Sequence, residues 1–287
     1  MRPLCWTAGV LSLLGSLACN SVPTVEQAQA KMREAAHHSS DRSHALSARQ
    51  PLTLEPIEIA PVEHPLARLD QAALVQLVKQ APDKLGSVSI GRANRGALFN
   101  GVQMPESHLW ELVDPDRSWA AEETVRELAS AITAVAAEYP DCPRLFIGDM
   151  SKRRGGYFRP HRSHQSGADA DVGYYYLDGP GWYKKANAEN LDRRLTWALI
   201  KALLTQGKVE YLFIDRSVQA LLKEHALQVE PDHAWVEQLF GHPGGRAPGT
   251  IRHARGHQTH MHVRFYNDEA RETARRTYKL LAAYRKL

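Results

Sequence analysis

The chain has 287 residues, 43% of them hydrophobic, a proportion that supports a folded core and excludes collagen-like, wholly disordered and multi-span membrane architectures. Its 36 Lys and Arg against 32 Asp and Glu leave a formal charge of +4 with no long basic run, which argues against a dedicated nucleic-acid binder. Three cysteines are too few for a disulfide framework or a cysteine-based zinc finger, whereas fourteen histidines turn attention to imidazole chemistry.

Met1 and Arg2, the apolar stretch Leu4 to Leu17 and the small-residue ending at Ala18 read as a secretory signal over residues 1–19. The segment is shorter than the roughly 20 apolar residues of a membrane span. Ser16-Leu17-Ala18-Cys19 also resembles a bacterial lipobox, in which the Cys is lipidated. The expected location is therefore periplasmic, either as a plainly exported protein or as a lipoprotein whose one link to a membrane is a lipid at Cys19. Residues 20–65, rich in Ser, Ala, Gln, His and Pro, lack the apolar content to offset ordering entropy and read as a disordered tether. His37, His38 and His44 inside it read as solvated linker residues.

A single domain is expected over residues 66–287. Leu66, Leu69, Ala73 and Leu77 predict a first helix from Leu66 to Ala81, and Ser87–Ile90 with Ala97–Val102 predict a hairpin closed around Asn94-Arg95-Gly96. Val125, Leu128, Ile132 and Val135 follow helical spacing behind Glu122 and Glu123, acidic residues that suit a helix N-terminus. Strands are predicted at Leu145–Ile147, Asp171–Tyr176, Val209–Ile214 and His260–Tyr266, and helices at Leu191–Leu204, Val218–Leu227 and Glu269–Lys286. Short strands spaced irregularly by helices favour an α+β fold, a small and mostly antiparallel sheet flanked by helices. Cys142, just before Leu145-Phe146-Ile147, reads as a small buried side chain rather than a nucleophile.

Two clusters carry the chemistry. The first runs Arg159-Pro160-His161-Arg162-Ser163-His164-Gln165-Ser166-Gly167-Ala168-Asp169-Ala170-Asp171, and the second His253-Ala254-Arg255-Gly256-His257-Gln258-Thr259-His260-Met261-His262-Val263-Arg264. His260 and His262, two apart on a predicted strand, share a face. Gly167 permits a tight turn that brings His164 towards the acidic pair Asp169 and Asp171, which share a face in their turn. Catalytic zinc is held by three N or O side chains with a fourth position left to water, and this donor set matches that requirement, although spacing alone leaves the choice of carboxylate open. HExxH, GxSxG and GxxxxGK[ST] motifs are absent from the sequence.

The segment from His164 to Asp171, together with His260-Met261-His262, resembles the signature of the LAS zinc peptidases, a group that joins lysostaphin-type enzymes, D-Ala-D-Ala carboxypeptidases and the hedgehog domain. With His161, His257 and the Asn94-Arg95-Gly96 hairpin added, the chain is most similar to the penicillin-insensitive murein endopeptidases over roughly residues 84 to 267. The resemblance implies that His164, Asp171 and His262 bind one Zn²⁺ per chain, on the sheet. It places His260 beside the metal-bound water and sets His257 and His161 along the site. Asp169 is assigned a supporting contact to a metal ligand on our own inference. His260 is the preferred general base, since its ordinary pKa of about 6.5 suits proton exchange near neutrality, with His257 as the other candidate. The implied activity is cleavage of peptidoglycan cross-links, typically the D-alanyl to meso-diaminopimelyl bond. A D,D-carboxypeptidase, another cell-wall amide hydrolase and a non-catalytic zinc-containing wall-binding domain are the alternatives. Tyr174, Tyr175, Tyr176, Trp182 and Tyr183 are expected to pack the sheet or line a groove for a stem peptide, and Trp110, Trp119, Trp197 and Trp235 to pack.

Overall fold

The computed structural model describes residues 64–241 and 249–286. The expected signal segment, Cys19 and the tether as far as residue 63 lie outside the described residues.

In chain order the elements are α1 (Gln71–Gln80), β1 (Val88–Arg92), β2 (Arg95–Phe99), β3 (Val102–Gln103), β4 (Trp110–Leu112), β5 (Trp119–Ala120), α2 (Glu122–Glu138), β6 (Leu145–Ile147) and β7 (Asp169–Gly173). There follow α3 (Arg193–Thr205), β8 (Val209–Ile214), α4 (Arg216–Val229), α5 (His233–Phe240), β9 (Ile251–His253), β10 (His260–Phe265) and α6 (Asp268–Ala283). Aspartates start four of the six α-helices among the described residues. Asp70, Asp192, Asp215 and Asp232 each accept a backbone N–H of the first turn, which satisfies a donor that the helix cannot pair internally.

The main sheet has six strands in the order β4-β6-β7-β10-β8-β9. The α+β class holds, but the expected mostly antiparallel sheet is mixed. The central pairings β6–β7, β7–β10 and β10–β8 are antiparallel, while the outer pairings β4–β6 and β8–β9 are parallel. The cause lies in the connections. The chain passes through α2 between β4 and β6, and through α4 and α5 between β8 and β9, and helical crossovers of this kind return a strand in its original direction.

The expected helix from Leu66 to Ala81 is two elements. Pro65–Arg68 forms a short 3-10 turn, and Asp70 then leaves helical geometry to cap α1 through the Ala73 N–H at 2.8 Å. The strand expected to reach Tyr176 ends at Gly173. Tyr174, Tyr175 and Tyr176 are each 2% exposed and belong to the core, where an isolated bridge to Leu191 holds Tyr176. Cys142 is half-buried and packs against that core.

One face of the sheet carries the main core. Ala170 and Val172 of β7, Met261 and Val263 of β10 and Leu212 of β8 pack with the apolar face of α2 (Leu128, Ile132, Val135) and with Leu199 and Ile200 of α3. Full burial of a Leu or Ile of this set stabilises by about 2 kcal/mol. A second cluster joins Leu74 and Val78 of α1 to Val88 and to Leu281 of α6.

Candidate metal centre

The alternation of side chains along β7 and β10 builds the site. Residues 170, 172, 261 and 263 point into the core, so Asp169, Asp171, His260, His262 and Arg264 emerge together on the opposite face. The antiparallel register sets His262 directly across from Asp171, Arg264 across from Asp169, and His260 across from Gly173.

His164 reaches this face from the loop before β7. Its backbone is left-handed, with φ of +65°, and its N–H donates to Asp169 Oδ2 at 2.8 Å. Gly167 makes the return turn at φ +73°, where a Cβ would lie 2.8 Å from the Ala121 nitrogen, so the turn that the sequence suggests has a packing reason as well. His164 Nδ1 faces the Met150 carbonyl at 2.8 Å. A carbonyl only accepts, so Nδ1 carries the ring proton and Nε2 keeps its lone pair.

The two carboxylates are distinguished by what already occupies them. Asp169 accepts from Arg264 Nε at 2.7 Å, from Arg264 Nη2 at 3.2 Å and from the His164 N–H. Among the described residues, Asp171 Oδ1 has no hydrogen-bond partner, nor has His164 Nε2 or His262 Nε2, and all three atoms are buried. Asp171 Oδ1 lies 3.3 Å from His164 Nε2 and 3.1 Å from His262 Nδ1. Metal–ligand bonds of about 2.0–2.1 Å in tetrahedral geometry set neighbouring ligand atoms about 3.3 Å apart. His262 Nε2 in turn lies 3.3 Å from Asp169 Oδ1, the side of the ring away from Asp171.

Charge favours a cation at the same point. Burial alone would raise both carboxyls, but the imidazoles of His164 and His262 beside them hold Asp169 and Asp171 well below the usual carboxylate range. Burial alone would lower His262, yet Asp169 and Asp171 push it up to about 9. Two overlapping trios, His161/His164/Asp171 and His164/Asp169/His262, place ligand atoms within 4.8 Å of one another. The buried Asp171 Oδ1 and His164 Nε2, neither of them hydrogen-bonded among the described residues, stand with His262 Nδ1 at a spacing that fits one divalent metal ion.

The remaining sequence-selected residues surround that point. His260 Nε2 is 3.8 Å from Asp171 Oδ2, its Nδ1 is 3.0 Å from Thr259 Oγ1, and its ring lies against Trp182 and Tyr183, each at 5.8 Å. Burial lowers its pKa to about 4, with Asp171 opposing and His257 and His262 assisting, so it is neutral near pH 7. His257 lies 5.0 Å from the His260 ring, and its backbone carbonyl accepts from the Tyr174 hydroxyl at 2.9 Å. His161 Nδ1 faces Asp171 Oδ2 at 3.7 Å.

Sequence reasoning missed what holds His161. Its Nε2 meets Asp149 Oδ2 at 2.6 Å, and Arg117 grips both Asp149 oxygens at 2.6 Å each. Burial would raise Asp149, but Arg117 and then His161 hold it down to about 2. The one sequence signal was a carboxylate at the end of a predicted apolar strand. Trp182 is admitted by Gly148, where a Cβ would fall 2.1 Å from the indole.

The family model of the penicillin-insensitive murein endopeptidases matches residues 89–279, more than half of the chain. Among curated proteins, none matches.

Proposed function

Because the chain belongs to the penicillin-insensitive murein endopeptidase family, we propose that this metallopeptidase cuts the D-alanyl to meso-diaminopimelyl cross-link of peptidoglycan with one zinc ion. His164 Nε2, Asp171 Oδ1 and His262 Nδ1 are the proposed ligands. The observation that carries this reading is the buried Asp171 oxygen, which lacks a hydrogen bond and stands 3.3 and 3.1 Å from the two imidazole nitrogens. When bound, zinc supplies a Lewis acid for the scissile carbonyl and lowers the pKa of water towards about 7.

The chain's own residues supply the rest. Asp169, pinned by Arg264, stands 3.3 Å from His262 Nε2, where its charge favours the tautomer with the ring proton on that nitrogen and so leaves Nδ1 free to ligate. The Met150 carbonyl does the same for His164. His260 accepts the proton of the attacking water at Nε2, since it is neutral, its Nδ1 is occupied by Thr259, and Trp182 and Tyr183 shield it. It returns that proton to the leaving amine. His257 and His161 border the reacting peptide. An exported chain, with the signal over residues 1–19, a lipid at Cys19 and the tether to residue 65, would meet this substrate in the periplasm.

Two measurements test the reading on purified protein. Metal analysis is expected to find about one zinc per chain. Digestion of sacculi is expected to release uncross-linked muropeptides that mass spectrometry identifies as cut at the D-alanyl to diaminopimelyl bond. Release of terminal D-alanine alone would favour a carboxypeptidase, and absence of both products would remove the enzymatic assignment.

A further inference from the structure

Beside the metal centre lies a face of cations without counter-ions. Arg92 and Arg95 flank the two-residue tip of the β1–β2 hairpin, Lys152, Arg153 and Arg154 form a loop, and Arg162 precedes His164 by two residues. All six side chains are exposed. None of them makes an ion pair among the described residues, although other arginines of the chain do. Their six charges exceed the net excess of +4 carried by the whole chain.

Hydrogen bonds tie the three segments together. Gln165, next to the ligand candidate His164, accepts from the Gly96 N–H of the hairpin at 3.4 Å and donates to the Arg162 carbonyl at 3.4 Å. Its own carbonyl accepts from the Gly156 N–H at 2.9 Å, and the Arg154 carbonyl accepts from the Leu98 N–H at 3.0 Å. A recess of about 710 Å³ between hairpin and loop is lined by Lys152, Arg153, Arg154 and Trp119, with one carboxylate, Asp83, at its edge. Tyr157, 67% exposed, continues the surface.

Like charges carried by neighbouring segments create a positive potential that draws anions to the surface. Gln165, next to His164, and Ser151, which precedes Lys152 and donates its hydroxyl proton to the His164 carbonyl, tie the patch to the segment that carries the ligand candidate. We propose that this face is a docking surface for the carboxylate-bearing peptide stems of intact peptidoglycan, outside the bond being cut, and that it holds the enzyme on the insoluble polymer. This inference rests on the reading that peptidoglycan is the substrate.

The test compares the zinc-loaded full chain with the quadruple variant Arg92→Gln, Arg95→Gln, Arg153→Gln, Arg154→Gln. Retention on sacculi is read by co-sedimentation, separately from turnover of a small soluble cross-linked muropeptide dimer. At about 50 mM salt the variant is expected to bind sacculi about tenfold more weakly, the combined effect of four exposed charges, and wild-type retention should fall similarly when salt rises to about 0.3 M. Turnover of the dimer and the unfolding temperature should match the wild type, and lysine at the same four positions should restore retention. Sacculi with amidated carboxyl groups should hold the wild type no better than they hold the variant.

Equal retention of variant and wild type, or wild-type retention indifferent to amidation, overturns the proposal. So does a variant that loses binding to anionic phospholipid vesicles while keeping sacculi, since the surface would then read lipid phosphate. A wild type that cuts neither substrate, yet whose retention falls in the variant, upholds the surface and refutes the bond assignment.

Discussion

Asp171 and His262 stand directly opposite one another on β7 and β10, with Oδ1 and Nδ1 3.1 Å apart and no hydrogen bond to that oxygen from any described residue. A buried charged oxygen left in this way costs free energy unless something else takes its lone pair. A cation at this point would do so, with His164 Nε2 3.3 Å from the same oxygen.

Single substitutions His164→Ala, Asp171→Ala and His262→Ala are therefore expected to lower zinc occupancy sharply, because each removes one of three donors from a site with few others. Elemental analysis after dialysis against a weak chelator checks this. Full occupancy in all three variants would remove the metal assignment.

Asp169→Asn separates the two carboxylates. Asp169 already accepts from Arg264 and the His164 backbone, so its loss should loosen the orientation of His262 and weaken zinc affinity by about 10 to 100-fold without emptying the site. A competition titration with a chromophoric chelator measures the change. Should Asp169→Asn prevent binding while Asp171→Asn leaves it intact, the two roles are exchanged.

His260→Ala should leave zinc bound while turnover of a cross-linked dimer falls by about 10² to 10⁴-fold, the range for a lost general acid or base. A variant that loses its metal makes His260 a ligand. Wild-type turnover with metal retained passes the proton-transfer role to His257, 5.0 Å away.

The parts of the site legible in the sequence are those governed by local periodicity. His260 and His262 share a face because strand side chains alternate, and Gly167 marks a backbone turn that a side chain would obstruct. The choice between Asp169 and Asp171 was not legible, since two residues on one face look alike until the register sets Arg264 against the first and His262 against the second. Asp149 and Arg117 were missed for a similar reason. They come from segments 32 residues apart that no pattern connects, and they meet only when the residues leading into β5 lie beside those that follow β6. The parallel outer strands escaped because strand direction at an edge depends on the path of the crossover, which composition does not record.

Asp149→Ala should free the His161 ring, which is otherwise held by one 2.6 Å contact and stacking on Phe158. A fall in kcat of about tenfold, with zinc content near wild type, is the expected result, by analogy with the loss of groups that orient active-site ligands. Asp149→Glu should recover part of it. If neither variant changes kcat, His161 needs no fixed orientation.

The last prediction concerns stability away from the metal. Glu123, 6% exposed at the start of α2, accepts the Glu269 N–H at 3.1 Å with one oxygen and leaves Oε1 buried without a partner among the described residues. Burial raises its pKa to about 7 from the ordinary 4.5, the Glu269 N–H opposing in part and the Glu269 and Asp268 charges adding to the rise. The folded state therefore binds this proton more tightly than the unfolded chain does, and the stabilisation it gives is complete below about pH 4.5. It is lost progressively as pH rises to about 7, by an amount up to about 3 kcal/mol. Glu123→Gln keeps an oxygen for the Glu269 N–H but has no charge to bury. Chemical denaturation at matched salt should find the variant near wild type at pH 4.5 and more stable at pH 8, with the difference opening between those values. A difference that does not change with pH would show that Glu123 is already ionised, and stabilised in its charged form, throughout this range.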